Sequence, residues 1–439
     1  MEEIVIKAGQ LLLSLSILVV LHELGHYIPA KLFKTRVEKF YLFFDPWFSI
    51  FKKKVGDTEY GVGWLPLGGY VKISGMIDES MDKEQMKKPP QPWEFRSKPA
   101  WQRLIIMVGG VAVNFLLAII IYSAVFFVWG KATLPIEEIN THGVEVTSVG
   151  KQIGFENGDK LISVENVAVS DFSEFRNSLI LEMPSFVRVS RGGDLVDIPI
   201  TKQHIKTLIS KRQSHLLPRR YFVIDSVPIN SISHTLLIKN DSLVGVNGNR
   251  LKYADQFKDV FLKNANSPVS VEFYRGGQLF SETVVPNSKG LVEVYQKPSF
   301  AAKPRLASFG FIESFSVGLS HSLDVGLKYL KQFNLIFDKE IKGYEGVGGF
   351  ISIGSIFPNA WDWQAFWMLT AFLSIMLGVL NLLPIPALDG GHVMFLLYEV
   401  VTQRKPNEKV MEYAQTIGII LLLGLVLYAN GNDIFKLLS

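Results

Sequence analysis

Four apolar stretches, each long enough to cross a lipid bilayer, constrain this chain more than any other feature of its sequence. They lie near residues 5–30, 104–129, 364–386 and 413–430, whereas residues 131–300 have the composition of a soluble domain. A helix needs about 20 apolar residues to cross roughly 30 Å of hydrocarbon. We therefore predict a polytopic α-helical membrane protein with four transmembrane helices and a large soluble insertion.

The first apolar stretch follows a short basic start, which is a feature of cleaved signal peptides. No cleavage site of small residues follows it; the polar residues His22, Glu23 and His26 follow instead. The net charge is only +4, and no basic stripe is interleaved with aromatic residues. Nucleic acid is therefore not an expected partner. The absence of cysteine excludes disulfides and thiol catalysis.

The distribution of positive charge predicts the orientation in the membrane. Residues 31–103 are rich in lysine and arginine, and residues 52–54 and 87–88 are all lysine, whereas Lys7 alone precedes the first apolar stretch. Positively charged loops remain on the cytoplasmic side. We expect residues 31–103 to be cytoplasmic, and the soluble insertion and both termini to lie outside the cytoplasm.

The soluble insertion contains an internal repeat. Residues 158–175 align with residues 240–257 at a constant offset of 82, and the segment SRGG at 190–193 matches YRGG at 274–277. In each copy, short β-branched runs flank one short helix and a hairpin through Arg-Gly-Gly. The repeat predicts two copies of a small β-rich domain.

The element order of each copy resembles that of bacterial PDZ domains, and residues 241–248 are the closer match to their "GDxIxxxNG" segment. The predicted domains are thus the first half of a membrane domain, two PDZ-like domains, and a linker with the second membrane half: 1–130, 131–208, 209–290 and 291–439. PDZ domains bind extended peptides at a sheet edge. A rigid spacer or size gate without a ligand remains an alternative.

The residues His22, Glu23 and His26 form an HExxH motif at the end of the first apolar stretch. On a helix, two histidines four positions apart share one face, so both imidazoles can reach one Zn²⁺, while the glutamate is placed to act on a water. Three ionisable groups are costly in hydrocarbon and mark function. A solvated helix end is the alternative interpretation.

A catalytic zinc usually has three protein ligands plus a water, so one ligand is still missing. Asp389 is the candidate, because it is the only carboxylate between Asp362 and Glu399. Pro384 and Pro386 break the third helix just before it, and irregular backbone at membrane depth is tolerated where it lines a protein cavity. Helix lengths of 1.5 Å per residue bring both motifs to the cytoplasmic side.

The chain resembles the site-2 protease family of intramembrane zinc metalloproteases, of the regulator of sigma-E protease type with two PDZ domains. The NxxPxPxLDG pattern of that family is matched without gaps from Asn381 to Gly390, and the resemblance covers almost the whole chain. It implies one Zn²⁺ held by His22, His26 and Asp389, with Glu23 as the base. It also implies a bacterial inner membrane location, contact with lipid, and a single-pass substrate such as an anti-sigma factor or a signal-peptide remnant.

The same resemblance assigns further segments. Residues 55–76 correspond to a membrane-dipping β-hairpin that pairs with an unwound substrate helix, although an ordinary interfacial hairpin fits the pattern too. Asn114, Asn381 and Pro384 are expected to contact substrate, with a polar bridge between helices as the alternative for the asparagines. The chain has Val111 and Val347 where the family usually has prolines, which affects positioning and leaves the ligands intact.

His392 follows Asp389 closely, and we expect it to support the site or the start of a helix, since a fourth protein ligand would close the position that water needs. The rival to a protease is a noncatalytic scaffold in which zinc staples two helices and the PDZ pair recruits partners; such a site has no use for Glu23. A transporter would show inverted repeats among the spans, and the repeat found lies in the soluble insertion.

Overall fold

The computed structural model describes residues 2–66, 68–76, 89–211 and 214–438. Lys87 and Lys88, which contributed to the predicted orientation, lie outside these ranges. The chain divides into two compact units. The first comprises Met1–Gly130, Ser308–Asn334 and Tyr344–Ser439, and the second comprises Lys131–Ala307 and Leu335–Gly343.

The described helices and strands alternate along the chain as follows. The helices are α1 (Glu2–Leu32), α2 (Ala100–Trp129), α3 (Ile136–His142), α4 (Ser148–Ile153), α5 (Phe172–Leu181), α6 (Lys202–Lys211), α7 (Ala254–Lys263), α8 (Phe311–Phe337), α9 (Phe350–Ser355), α10 (Trp363–Leu382), α11 (Asp389–Thr402) and α12 (Glu408–Leu438). The strands are β1 (Val37–Leu42), β2 (Phe44–Val55), β3 (Thr58–Leu65), β4 (Tyr70–Ile73), β5 (Lys131–Thr133), β6 (Val144–Val146), β7 (Lys160–Val164), β8 (Val167–Ala168), β9 (Phe186–Arg191), β10 (Asp194–Pro199), β11 (Leu216–Pro218), β12 (Ile224–Ser226), β13 (Ser242–Val246), β14 (Asn249–Arg250), β15 (Val269–Arg275), β16 (Gln278–Val284), β17 (Tyr295–Gln296) and β18 (Arg305–Ala307).

The prediction of four spans is confirmed in the described part of the chain, where α1, α2, α10 and α12 are each long and apolar enough to cross a membrane. The third of them ends at Leu382, earlier than predicted. The two prolines that follow explain the difference, because proline disfavours helical backbone in the residue before it and cannot donate the next helical hydrogen bond.

Helix α8 is a further long helix that the sequence analysis did not find. One face packs against α2 and α10, where His321 stacks edge-on against Tyr122 and Gly318 lies against Ser123. The opposite face exposes apolar side chains at intervals of four residues, at Phe311, Phe315, Leu319, Leu323 and Leu327. Because polar residues such as Asp324 and Lys328 interrupt these positions, the segment never forms the continuous apolar run that identifies a span.

Helices α1 and α2 approach each other backbone to backbone. A Cβ atom added to Gly25 would overlap the carbonyl of Gly109, and one added to Gly109 would overlap the carbonyl of Gly25. Small residues allow such approach between membrane helices, where dispersion contacts and hydrogen bonds replace the hydrophobic drive. Ser14 on α1 and Thr370 on α10 add a buried hydrogen bond, with Oγ atoms 3.0 Å apart.

The β-hairpin predicted at residues 55–76 is wrong in its pairing. The first unit contains a four-stranded sheet of order β2-β3-β1-β4, in which β3 is parallel to β1 and β4 is antiparallel to β1. Strands β3 and β4 therefore flank β1 rather than pair with each other, and the true hairpin is β2 with β3. Strand β4 forms one edge of this sheet.

The second unit contains two sheets of equivalent topology, β10-β9-β7-β8 and β16-β15-β13-β14. The residues that carry the sequence repeat form equivalent ion pairs: Arg191 donates to Asp159 in the first sheet, and Arg275 donates to Asp241 in the second. Both aspartates are buried, so each arginine offsets the cost of a buried carboxylate. The repeat thus preserves a buried ion pair together with the surrounding hydrophobic core.

Charged contacts join the two sheets within this unit. Arg219 donates to Asp255 at 2.8 Å and to the carbonyl of His142, while Arg220 makes a two-pronged contact with Glu145. Strand β11 pairs with β6, which links the end of the first predicted copy to the start of the next. Residues 291–307, predicted as linker, lie within this unit in β17 and β18. The division into two PDZ-like domains stays a prediction.

The buried His215 predicts a pH dependence for this unit. Burial lowers the pKa of His215 to about 4, with the charge of Arg176 acting in the same direction. Between pH 6.5 and 4 the unfolded chain takes up a proton that the folded unit does not. Stability is therefore complete above pH 6.5 and falls by about 3 kcal/mol as the pH approaches 4.

Amide hydrogen exchange in β6 and β11 of the full chain, corrected for intrinsic pH effects, measures this loss. Replacement of His215 by glutamine should flatten the profile in this pH range, because the titrating group is gone. Strand β13 of the second sheet serves as the internal reference. An unchanged slope in the variant would show that other groups carry the acid sensitivity.

Candidate metal centre

The two histidines of the HExxH motif lie one turn apart on the same face of α1. Both are buried, with 8% of His22 and 7% of His26 exposed. Their Nε2 atoms are 3.3 Å apart, and the ring planes are nearly perpendicular. Spacing of four residues on a helix produces this pairing of side chains.

Asp389 reaches the histidines from a distant part of the sequence. It is the first residue of α11, directly after the irregular turn that follows α10. The turn is compact, since Cβ atoms on Gly390 and Gly391 would collide with the carbonyls of Leu383 and Ile385. One oxygen, Oδ2 of Asp389, lies 3.3 Å from Nε2 of each histidine. The structure therefore brings the three predicted ligands together.

The geometry of this triangle fits a bound zinc ion. Two ligands of a tetrahedral zinc at about 2.0–2.1 Å are separated by roughly 3.3 Å, and all three separations in the triangle are 3.3 Å. In the described part of the chain, Oδ2 of Asp389 is buried without a hydrogen-bond donor. A buried carboxylate oxygen without a partner is costly, and a cation between the three atoms would remove that cost. The described residues contain this group as a candidate metal site.

Contacts with α2 orient both imidazoles. Nδ1 of His26 lies 2.8 Å from the carbonyl oxygen of Ile106, which only accepts, so this nitrogen carries the proton and leaves Nε2 for a metal. The side-chain amide of Asn114 lies 3.0 Å from Nδ1 of His22. Its oxygen has no hydrogen-bond partner among the described residues. Exchange of the amide oxygen and nitrogen, which are assigned from the network, satisfies this oxygen and frees Nε2 of His22 for a metal.

Glu23 points toward the sheet rather than toward the metal triangle's own helix face. Its carboxylate accepts a hydrogen bond from the backbone amide of Val71 in β4. The approach is close because the preceding turn has a glycine, and a Cβ on Gly69 would lie 2.5 Å from Val19 and 3.6 Å from Glu23. Glu23 therefore stands between the triangle and the edge strand β4.

A cavity of about 730 Å³ opens in front of these groups. Its walls include the three candidate ligands, Glu23, the edge strand β4, and side chains from the later helices: Asn381, His392 and Gln415. A cavity of this size accommodates several residues of an extended peptide. In the described part of the chain, no strand pairs with the outer edge of β4.

The three residues predicted to contact substrate lie in different surroundings. The amide nitrogen of Asn381 is 3.3 Å from Nε2 of His22 and lines the cavity. Pro384 is exposed in the turn. Asn114 is fully buried and contacts His22, as the alternative of a polar bridge between helices requires. Their assignment to substrate stays a prediction, as does the supporting role of His392.

Sequence analysis missed Gln415, a buried polar residue of α12 that lines the cavity. It also missed Gly110 as part of the site. A Cβ atom there would overlap Nε2 of His26 and lie 2.7 Å from Cε1 of His22. A polar residue within an apolar span was a usable signal for Gln415, whereas the glycine became informative only once the helices were packed.

Comparisons with known proteins extend over nearly the whole chain. The model of Peptidase family M50 matches residues 10–425. A Vibrio cholerae relative that carries a zinc metalloprotease name is 29% identical over 97% of this chain and 98% of the relative. The Regulator of sigma E protease of Haemophilus influenzae is 24% identical over 98% of each chain. Metalloprotease MmpA of Caulobacter vibrioides is 25% identical over 97% of this chain and 94% of its own.

Substitution of Gly110 by alanine tests the packing of the candidate ligands. The added methyl group must displace one or both imidazoles, so we expect zinc affinity to fall by roughly 10-fold or more. Competition with a chelator measures this affinity in the purified protein. Gly424 of α12 is the matched control, because nothing lies within 4 Å of a Cβ there. Equal zinc affinity in the Gly110→Ala protein would contradict the geometry of the triangle.

Proposed function

This chain belongs to peptidase family M50, and we propose that it is an intramembrane endopeptidase that cuts single-pass membrane proteins by regulated intramembrane proteolysis. It is a zinc metalloendopeptidase in a membrane. The observation that carries the proposal is the equal-sided triangle of His22, His26 and Asp389, with Glu23 and an edge strand beside it. We infer that the three residues of the triangle hold the zinc.

Bound zinc supplies a Lewis acid that makes water a nucleophile near neutral pH. Glu23 is the base in our proposal: its carboxylate accepts the proton of the attacking water and then passes it to the leaving amine. The hydrogen bond from Val71 holds this carboxylate at the cavity wall. The amide of Asn381 is placed to donate to the carbonyl oxygen as it gains negative charge.

Substrate binding in this proposal uses the edge of β4. A peptide bond within a transmembrane helix is protected by the helical hydrogen bonds, so the helix must unwind before hydrolysis. The freed N–H and C=O groups require partners inside the bilayer. An added strand along β4 supplies them and lays the substrate backbone next to Glu23. Asn381 and Pro384 are the residues of the later segment that we expect at the substrate.

The soluble unit supports a filter for substrate size. The salt bridges at Arg219 and Arg220 tie its two sheets together, which suits a rigid body better than a flexible tether. We propose that it consists of two PDZ-like domains outside the cytoplasm of a bacterial inner membrane. It would admit substrates whose outer part has already been shortened. The name of the Haemophilus influenzae relative makes anti-sigma factors the first substrates to test, with signal-peptide remnants as the next class.

Cleavage by Glu23→Gln protein is the decisive test. Loss of the base should reduce cleavage of a reconstituted single-pass substrate by at least about 100-fold, while the three ligands still bind zinc. The measurements are the rate of substrate cleavage in lipid vesicles and the zinc content of each protein. Glu3→Gln makes the same chemical change at an exposed site on α1 and should leave both unchanged.

Equal cleavage by wild type and Glu23→Gln would remove the proposed mechanism. If the wild type binds zinc but cleaves neither an anti-sigma factor segment nor a signal-peptide remnant, the noncatalytic scaffold becomes the better account.

A further inference from the structure

Gln415 is a buried polar side chain in a helix that otherwise has little buried surface. In the most apolar window of α12 only 11% of the residues are buried, yet Gln415 is 6% exposed. Its Oε1 atom accepts a hydrogen bond of 3.1 Å from the backbone amide of Ala387. Ala387 lies in the turn between α10 and α11, two residues before Asp389.

The turn at Ala387 has an unfavourable backbone conformation. Its φ angle is +83°, in a region that residues with a Cβ rarely adopt. Such strain costs about 1–3 kcal/mol and persists only where the surroundings hold it. Gln415 supplies one such restraint, because its acceptor fixes the direction of the Ala387 amide.

A second contact from α12 holds the preceding residue. The carbonyl of Pro386 packs directly on Gly418, where a Cβ atom would overlap the carbonyl oxygen. Gln415 and Gly418 are three residues apart and therefore lie on the same face of α12. Together they hold both residues that precede the N-cap Leu388 of α11. The same helix thus contacts the turn on which the position of Asp389 depends.

We propose that Gln415 is a positioning residue of the metal centre. It acts through the 386–389 turn, whose conformation sets where Oδ2 of Asp389 stands relative to the two imidazoles. A backbone rotation at Ala387 would move that oxygen out of the 3.3 Å triangle, which leaves zinc with two protein ligands. This inference rests on the proposed function only in that Asp389 is taken as a ligand; it requires no particular substrate.

A purely structural role predicts a different result. A buried glutamine that only joins two helices would, when replaced, lower the stability of the protein without changing the metal centre. The experiment must therefore report on metal geometry, not on activity alone. Zinc affinity and the visible absorption of the cobalt(II)-substituted protein are such reports, because cobalt absorption depends on coordination number and geometry.

The test compares purified full-length proteins in detergent. Gln415→Met keeps the length of the side chain and removes the acceptor, whereas Gln415→Glu keeps an acceptor in the same place. Gly418→Ala disturbs the same turn from the neighbouring contact. Thr416→Val is the matched control, because the hydroxyl of Thr416 bonds to Glu412 within α12 and does not contact the turn.

We expect zinc affinity to fall roughly 10- to 100-fold in Gln415→Met and Gly418→Ala, with an altered cobalt spectrum. Gln415→Glu should recover affinity to within about threefold of wild type, and Thr416→Val should match wild type. If Gln415→Met does not fold, Gly418→Ala with the Glu variant decides the question. Wild-type affinity and an unchanged cobalt spectrum in the folded Met or Ala variant would overturn the inference.

Cleavage by the wild type, measured in parallel, separates this inference from the proposed function. A weakened metal site in Gln415→Met supports positioning even if the wild type cleaves no test substrate. Conversely, wild-type proteolysis together with an unchanged metal site in the variants sinks the positioning role and leaves the protease intact.

Discussion

The close approach of α1 and α2 is the constraint on which the rest of the metal centre depends. Because Gly25 and Gly109 have no side chains, the two backbones come into contact, and the histidines of α1 are pressed against α2. Three positions of α2 spaced by four residues then meet them: the carbonyl of Ile106 at His26, Gly110 at both rings, and Asn114 at His22. One stripe of α2 thus fixes the orientation of both imidazoles.

The third ligand depends on how α10 joins this pair. The hydroxyl of Ser374 donates to the backbone carbonyl of Asn114 at 2.7 Å, and Thr370 bonds to Ser14 on α1. These small polar residues fix the depth of α10 relative to the histidines without large side chains between the helices. The prolines then end α10, and the strained turn at Ala387 redirects the chain so that α11 begins with Asp389 facing the histidines.

Local patterns in the sequence predicted the chemistry better than the packing. HExxH could be assigned because the spacing of two ligands on one helix is a local property. Asp389 could be named because few carboxylates occur in an apolar segment. The pairing of β3 and β4 could not be predicted, since both strands pair with β1, which comes earlier in the chain, and short alternating runs do not specify their partners. Helix α8 was missed because polar residues are interspersed among its apolar stripe.

The arrangement of the cavity also accounts for hydrolysis inside a bilayer. Peptide hydrolysis consumes water, so a site surrounded by apolar helices needs a polar route. The sheet supplies polar cavity walls at Lys39, Asp45, Tyr70 and Lys72, and Tyr70 donates a hydrogen bond of 2.8 Å to Asp45. These residues belong to the segment that the charge distribution assigns to the cytoplasm. In the proposed orientation, water therefore enters from the cytoplasmic side past the sheet, while the substrate helix approaches through lipid. One edge strand then serves two purposes, since its backbone binds the unwound substrate and the polar side chains of its sheet admit the water that cleaves it.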